Sequence, residues 1–199
     1  MLQQIRQQLE RPSGLLGHLA GLFLAWENDD RTAWTLKKLK VRQRDHVLEI
    51  GFGPGDCLYE VAERAKRGFV AGVEVSDVMI EQARSRNAKF IEAGQMELRE
   101  GDVMDLPFED RQFDKVFTIN SINLWPDEQA GLREIKRTLK PGGMVAIIEQ
   151  PPSRITERAE IKARGEAIVQ SLRRARFKHI RAVHGNLPNG MAVCVLAKK

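Results

Sequence analysis

The sequence predicts an α/β fold, a mostly parallel sheet with helices on both faces, and three observations carry that prediction. From His46 onward, runs rich in Val, Ile and Phe alternate with segments of helical apolar period. The first of these runs, HVLEIGFGPG at residues 46–55, is a buried strand that ends in a glycine turn opening straight into a helix. The chain of 199 residues has the length of one domain and can close a sizeable core.

Along the chain, residues 1–10 are polar and read as a helical or frayed arm, broken at Pro12-Ser13-Gly14. Leu15, Leu16, Leu19, Leu22, Phe23 and Trp26 then fall on one stripe at helical period. A second helix is expected over 30–39, with its basic end suited to a helix C-terminus. Strands follow at 46–50, 69–75, 97–100 and 113–119, with helices after the glycine turn, over 77–87, and from Pro126-Asp127 to about Leu139. Pro141-Gly142-Gly143 predicts a sharp turn into a fifth strand at 144–149, and a helix is expected over 156–175. Two closing strands, 179–184 and 191–197, flank the turn-rich GNLPNG segment and predict an antiparallel edge hairpin.

Composition narrows the class. With 42% hydrophobic and 30% charged residues the chain is globular rather than disordered or collagen-like. Cys57 and Cys194 stand far apart outside any CxxC or Cys/His spacing, so neither a disulfide framework nor a metal site is expected, and a cytoplasmic location fits. No secretory leader is visible, and the uncharged stretch 14–26 is shorter than the roughly 20 residues a membrane span needs. The formal charge of +5 admits an anionic partner, but acids interleave the bases almost everywhere. The basic runs at 37–40 and 173–176 read as solvated helix faces.

The chemistry lies at the strand ends. Glu49 precedes Gly51, Gly53 and Gly55, and the place where a dinucleotide fingerprint would put its third glycine holds Asp56. Glu74 closes the second strand about 20 residues on, where a carboxylate can accept both hydroxyls of a ribose. As a strand-end group it is expected to matter for a ligand and little for folding. Asp102 follows the third strand, where it can accept from an adenine amine while the N–H of Val103 meets a ring nitrogen. Leu106, Pro107 and Phe108 are expected to line the flat faces of that ring. Asn120 ends the fourth strand, and its side chain or carbonyl can meet an ammonium group.

The ordered set LEIGFGPG, VEVS, GDVMDLPF, FDKVFTINSINLW and LKPGG resembles class I S-adenosylmethionine-dependent methyltransferases over residues 41–199. Within them it is most similar to small-molecule methylases of the ubiquinone/menaquinone type. The resemblance implies a Rossmann-like seven-stranded sheet with an antiparallel last strand, S-adenosylmethionine as methyl donor, and residues 1–40 as a helical cap rather than an independent domain. It implies that Glu49, Gly51, Gly53 and Gly55 flank the methionine end and that Glu74, with Val75, takes the ribose. Asp102 with Val103 then takes the adenine, and Asn120 lies near the sulfonium. The Asn/Asp-Pro-Pro-Tyr/Phe signature of amino-methylating enzymes is absent, since this chain reads Asn120-Ser121-Ile122-Asn123.

The expected acceptor is a small, partly apolar molecule. A base is needed only if that acceptor must lose a proton, and His18, Tyr59 and His184 are the candidates. The apolar stripe at 14–26 has three readings: a core helix, a lid over the acceptor site, or a membrane-surface helix, the last poorly matched by its uncharged polar face. Two other functions stay open, an RNA or DNA methyltransferase using the basic surface and a non-catalytic S-adenosylmethionine-binding protein. A nicotinamide oxidoreductase is disfavoured by the glycine spacing.

Overall fold

The computed structural model describes residues 29–151, 158–188 and 190–199. The stripe at 14–26, His18 included, lies outside them, as do residues 152–157. The elements are α1 (Asp29–Leu39), β1 (His46–Ile50), α2 (Asp56–Arg64), β2 (Phe69–Glu74), α3 (Asp77–Arg86), α4 (Ala88–Glu92) and β3 (Met96–Glu100). They continue as β4 (Phe113–Ile119), a 3₁₀ turn (Ile122–Leu124), α5 (Glu128–Thr138), β5 (Leu139–Glu149), α6 (Arg158–Arg174), β6 (Lys178–Leu187) and β7 (Gly190–Lys198).

The strands form one seven-stranded Rossmann-like sheet in the order β3-β2-β1-β4-β5-β7-β6. β7 is antiparallel to both of its neighbours, β5 and β6, and the other described pairings are parallel. The two closing strands are therefore hairpin partners, but β7 lies inside the sheet and only β6 is at the edge. β6 is largely exposed and carries Lys178 and Arg181, charges that discourage edge-to-edge pairing.

Both faces of the sheet are covered, which is why the central strands read as nearly continuous apolar runs. Leu48, Ile50, Val116, Val145 and Ile147 face α5 and α6, packing with Leu132, Ile135, Ile161 and Leu172. Val47, Val70, Phe117, Ala146 and Ile148 face α1 to α4. Leu36 and Leu39 of α1 belong to this second core, and Trp34 lies so close to Gly185 of β6 that a Cβ there would sit 2.8 Å from its ring. The last helix of the expected cap is thus continuous with the core.

Capping explains where helices start. The Ser76 hydroxyl accepts from the Met79 N–H at 3.4 Å to open α3, and Asp127 accepts from the N–H groups of Gln129 and Ala130 to open α5. α4 was not expected. Buried Asn87 separates it from α3, donating to the carbonyls of Ala83 at 2.9 Å and Gly55 at 3.1 Å. At 141–143 the expected turn is a bulge inside β5, which already pairs at Leu139 with Phe113 and resumes at Met144 with Lys115. Gly142, at φ +74°, supplies the left-handed residue this irregularity needs.

Candidate active site

In an open α/β sheet the crevice lies where the strand order reverses, here between β1 and β4, at the carboxyl ends of the strands. A pocket occupies that place, and Gly51, Glu74, Val75, Asp102, Val103 and Asn120 all line it. Its apolar walls include Ile50, Val73, Leu124 and Trp125.

The three glycines do different work. Gly51 has φ +68°, and a Cβ there would lie 2.9 Å from that of Ser121, so the turn passes tightly against the end of β4. Gly53, at φ +54°, is buried and donates its N–H to Oε2 of Glu74 at 3.1 Å. Gly55, at φ +83°, starts α2, and a Cβ would meet Asn87 Nδ2 at 2.7 Å and Ala83 Cβ at 2.8 Å. Its need for glycine comes from the packing of α2 on α3.

Glu74 corrects a sequence expectation. It is buried, its Oε2 holds Gly53 and its Oε1 accepts from Val75 N at 2.9 Å and Ser76 N at 3.1 Å. The carboxylate therefore staples the glycine turn to the end of β2 and contributes to folding as well as facing the pocket. Asp102 spends one oxygen on an Asx turn, accepting from Met104 N at 2.8 Å. Leu106 and Phe108, expected beside the adenine, are buried in the core instead, Phe108 edge-on to Phe113 at 5.2 Å. Val75, 65% exposed, and Val103 supply apolar surface beside Asp102.

Asn120 has φ +55°, and its amide bridges to β5: Oδ1 accepts from Gln150 N at 2.6 Å and Nδ2 donates to Gln150 O at 2.9 Å. With the side chain so committed, its main-chain carbonyl is the group left for a ligand ammonium.

Glu49 is 2% exposed, and Oε2 has no hydrogen-bond partner among the described residues. Burial pushes its carboxyl well above the ordinary range, reinforced by the nearby Asp56 and Glu74 and opposed by Arg31. Arg31 reaches this point from α1, which no pattern around position 31 announces. Glu49 lies behind the pocket lining, with its unpaired Oε2 at the foot of the glycine turn, where it can answer a cationic amino-acid end only from beneath Ile50 and Gly51, and apolar walls between Glu74 and Asp102 suit a nucleoside. The residues present thus fit a nucleoside ligand carrying an ammonium group.

The candidate bases lie elsewhere. Tyr59, on α2, accepts from Lys89 Nζ at 2.7 Å outside the pocket. His184 is on the edge strand β6, separated from β4 by β5 and β7. The carboxylate that sequence reasoning missed is Glu149 at the end of β5, 3% exposed, with burial pushing its pKa up to about 7 against the pull of Arg164 and Asn123. Read as sequence, it is one more strand-end acid without a motif. Among the described residues no three His, Cys, Asp or Glu side chains group as a metal site, and no helix is long and apolar enough to cross a membrane.

Residues 47–143 match the family described as methyltransferase domain. The uncharacterized methyltransferase YdaC of Bacillus subtilis (strain 168) is 32% identical over 181 residues, covering 91% of this chain and 98% of that protein. The ubiquinone/menaquinone biosynthesis C-methyltransferase UbiE of Geotalea daltonii is 32% identical over 117 residues, but the match covers 58% of this chain and half (50%) of that relative. Among solved structures, a SAM-dependent methyltransferase from Aquifex aeolicus superposes with a TM-score of 0.69 at 20% identity, over 84% of this chain and 88% of that one.

Proposed function

Because the chain belongs to the class I S-adenosylmethionine-dependent methyltransferases, with S-adenosylmethionine as its methyl donor, we propose that it methylates a small, partly apolar acceptor. The observation that carries this reading is the pocket at the β1/β4 switch, where Glu74 and Asp102 face apolar walls that continue through Leu124 and Trp125 after β4. The ubiquinone/menaquinone enzyme among its relatives supports an acceptor of that size and polarity.

When bound, the cofactor supplies a methyl group on a sulfonium, a leaving group that needs no acid catalyst. The chain's residues bind and align. Glu74 accepts from the ribose hydroxyls, the free oxygen of Asp102 accepts from the adenine amine, and Val103 donates its N–H to the ring. Val75 packs beside them. Glu49 and the Asn120 carbonyl answer the ammonium, and Gly51, Gly53 and Gly55 let the turn close on the methionine end. Trp125 is braced by its Nε1–H to Ser121 Oγ at 3.2 Å, and walls the reacting end from water. A cytoplasmic site of action fits the free, buried Cys57 and Cys194.

Calorimetry with S-adenosylhomocysteine and NAD side by side, followed by an acceptor screen with labelled donor, tests this reading. Micromolar binding of the sulfur ligand and methylation of small apolar acceptors are expected. Equal or tighter binding of NAD, or transfer only to nucleic acid, would sink it.

A further inference from the structure

We propose that Glu149 is the proton acceptor for a hydroxyl-bearing methyl acceptor, with Asn123 and Arg164 positioning its carboxylate. The proposal rests on the small-acceptor reading above and names the chemical class of that acceptor.

Position carries it first. The residues assigned to adenine, ribose and methionine run along the sheet from β3 through β2 to β1 and β4, which leaves the β5 side for the acceptor; Glu149 lies behind the pocket lining of Leu124 and Trp125 rather than in it. Ile119 pairs with Ile148, and Asn120 donates its N–H to the Ile148 carbonyl at 2.8 Å. The Glu149 main chain therefore sits one strand spacing, about 5 Å, from that of Asn120. The 3₁₀ turn that gives Leu124 to the pocket gives Asn123 to Glu149.

Hydrogen bonding carries it second. Oε2 of Glu149 accepts from Asn123 Nδ2 at 2.8 Å and lies 3.5 Å from Arg164 Nη1, while Oε1 has no partner among the described residues. A buried carboxylate oxygen without a donor is costly to maintain, and a ligand hydroxyl would satisfy it. The groups around it are Arg164 from α6, itself paired with Glu160, the neutral Asn123 from the 3₁₀ turn, and Val193 opposite on β7, with His184 of β6 beyond Val193 and against Gly165 of α6. Arg164 is its ion-pair partner among the described residues, and a pKa near 7 makes Glu149 a competent base at neutral pH.

The step balances. A lone pair on the acceptor oxygen forms the new O–CH₃ bond, and the C–S bond breaks with its electrons going to sulfur. The hydroxyl proton passes to Oε1, so the positive charge lost at sulfur is matched by the negative charge lost at Glu149.

The test uses the full chain, with 2-naphthol as an un-ionised hydroxyl probe and 2-naphthalenethiol as a matched acceptor that ionises unaided. Single-turnover methyl transfer, naphthol fluorescence on the S-adenosylhomocysteine-loaded protein and S-adenosylhomocysteine calorimetry are read for wild type, Glu149→Gln and Arg164→Gln. In Glu149→Gln, naphthol methylation should fall by about 100- to 10,000-fold and naphthol affinity by about tenfold. Thiol methylation and S-adenosylhomocysteine affinity should hold. The wild-type naphthol rate should rise through pH about 7, and Arg164→Gln should move that rise to higher pH. Equal naphthol rates in wild type and Glu149→Gln, equal losses on naphthol and thiol, or a wild type active on the thiol but neither binding nor methylating naphthol would each overturn the proposal. A wild type that binds no S-adenosylhomocysteine would overturn the cofactor-site reading beneath it.

Discussion

Removing the Glu74 carboxylate separates two roles that the structure joins in one side chain. In Glu74→Ala three main-chain donors, Gly53, Val75 and Ser76, lose their acceptor. Val75 is exposed and Ser76 half-buried, so water can replace part of what they lose. Gly53 is buried and has no such recourse, which sets the stability cost at about 1–3 kcal/mol. A carboxylate offers about four lone-pair sites, and three are occupied, so ribose hydroxyls must take the last one and compete with Val75 and Ser76 for another. Losing that charged acceptor should weaken S-adenosylhomocysteine by about 1–3 kcal/mol, roughly 5- to 150-fold. Glu74→Gln should fare almost as badly, since its amide NH₂ would face one of the same N–H groups. Urea denaturation and calorimetry on the same samples read both quantities. If Glu74→Ala loses stability but keeps its affinity, the carboxylate is a staple for the turn and the ribose assignment is wrong. If stability is also unchanged, the three hydrogen bonds are not worth what the geometry implies.

Glu149→Gln should stabilise the protein in a pH-dependent way. The carboxyl moves from an ordinary 4.5 to about 7 on folding, which disfavours its charged form by about 3 kcal/mol. Because the folded value is the higher one, wild-type stability is fully present below pH 4.5 and declines as pH rises through 4.5–7. The variant should match wild type at about pH 4 or below and exceed it at pH 8.5 in urea titrations; parallel pH curves would contradict the buried-carboxylate argument. Gly53→Val should abolish S-adenosylhomocysteine binding by forcing a branched side chain to φ +54° in the turn that Glu74 holds, and normal calorimetric affinity would place the turn away from the cofactor. Gly55→Ala should instead destabilise the fold by about 2–4 kcal/mol, through left-handed strain and the clash with Asn87 and Ala83. An unchanged denaturation midpoint would refute that division of labour.

What the sequence determined by itself is local and periodic. Alternating apolar runs and glycine-terminated strands specify the α/β class, because strand burial and turn geometry are written within a few residues. The order of the strand-end motifs specified the cofactor class for the same reason: Glu74 closes a strand, Gly51, Asp102 and Asn120 each come just after one, and a parallel sheet brings such ends to one rim. The tertiary structure alone decided how each group is employed. That Glu74 is stapled by three N–H groups, that Leu106 and Phe108 turn inward, and that the Asn120 amide is taken by Gln150 depend on partners far along the chain. The place of β7 between β5 and β6 is likewise a matter of long-range pairing. Glu149 shows the limit most plainly: desolvation raises its pKa, and its neighbours Asn123 and Arg164 come from different elements. Burial and unsatisfied hydrogen bonding are properties of assembled surroundings, and no window of sequence contains them.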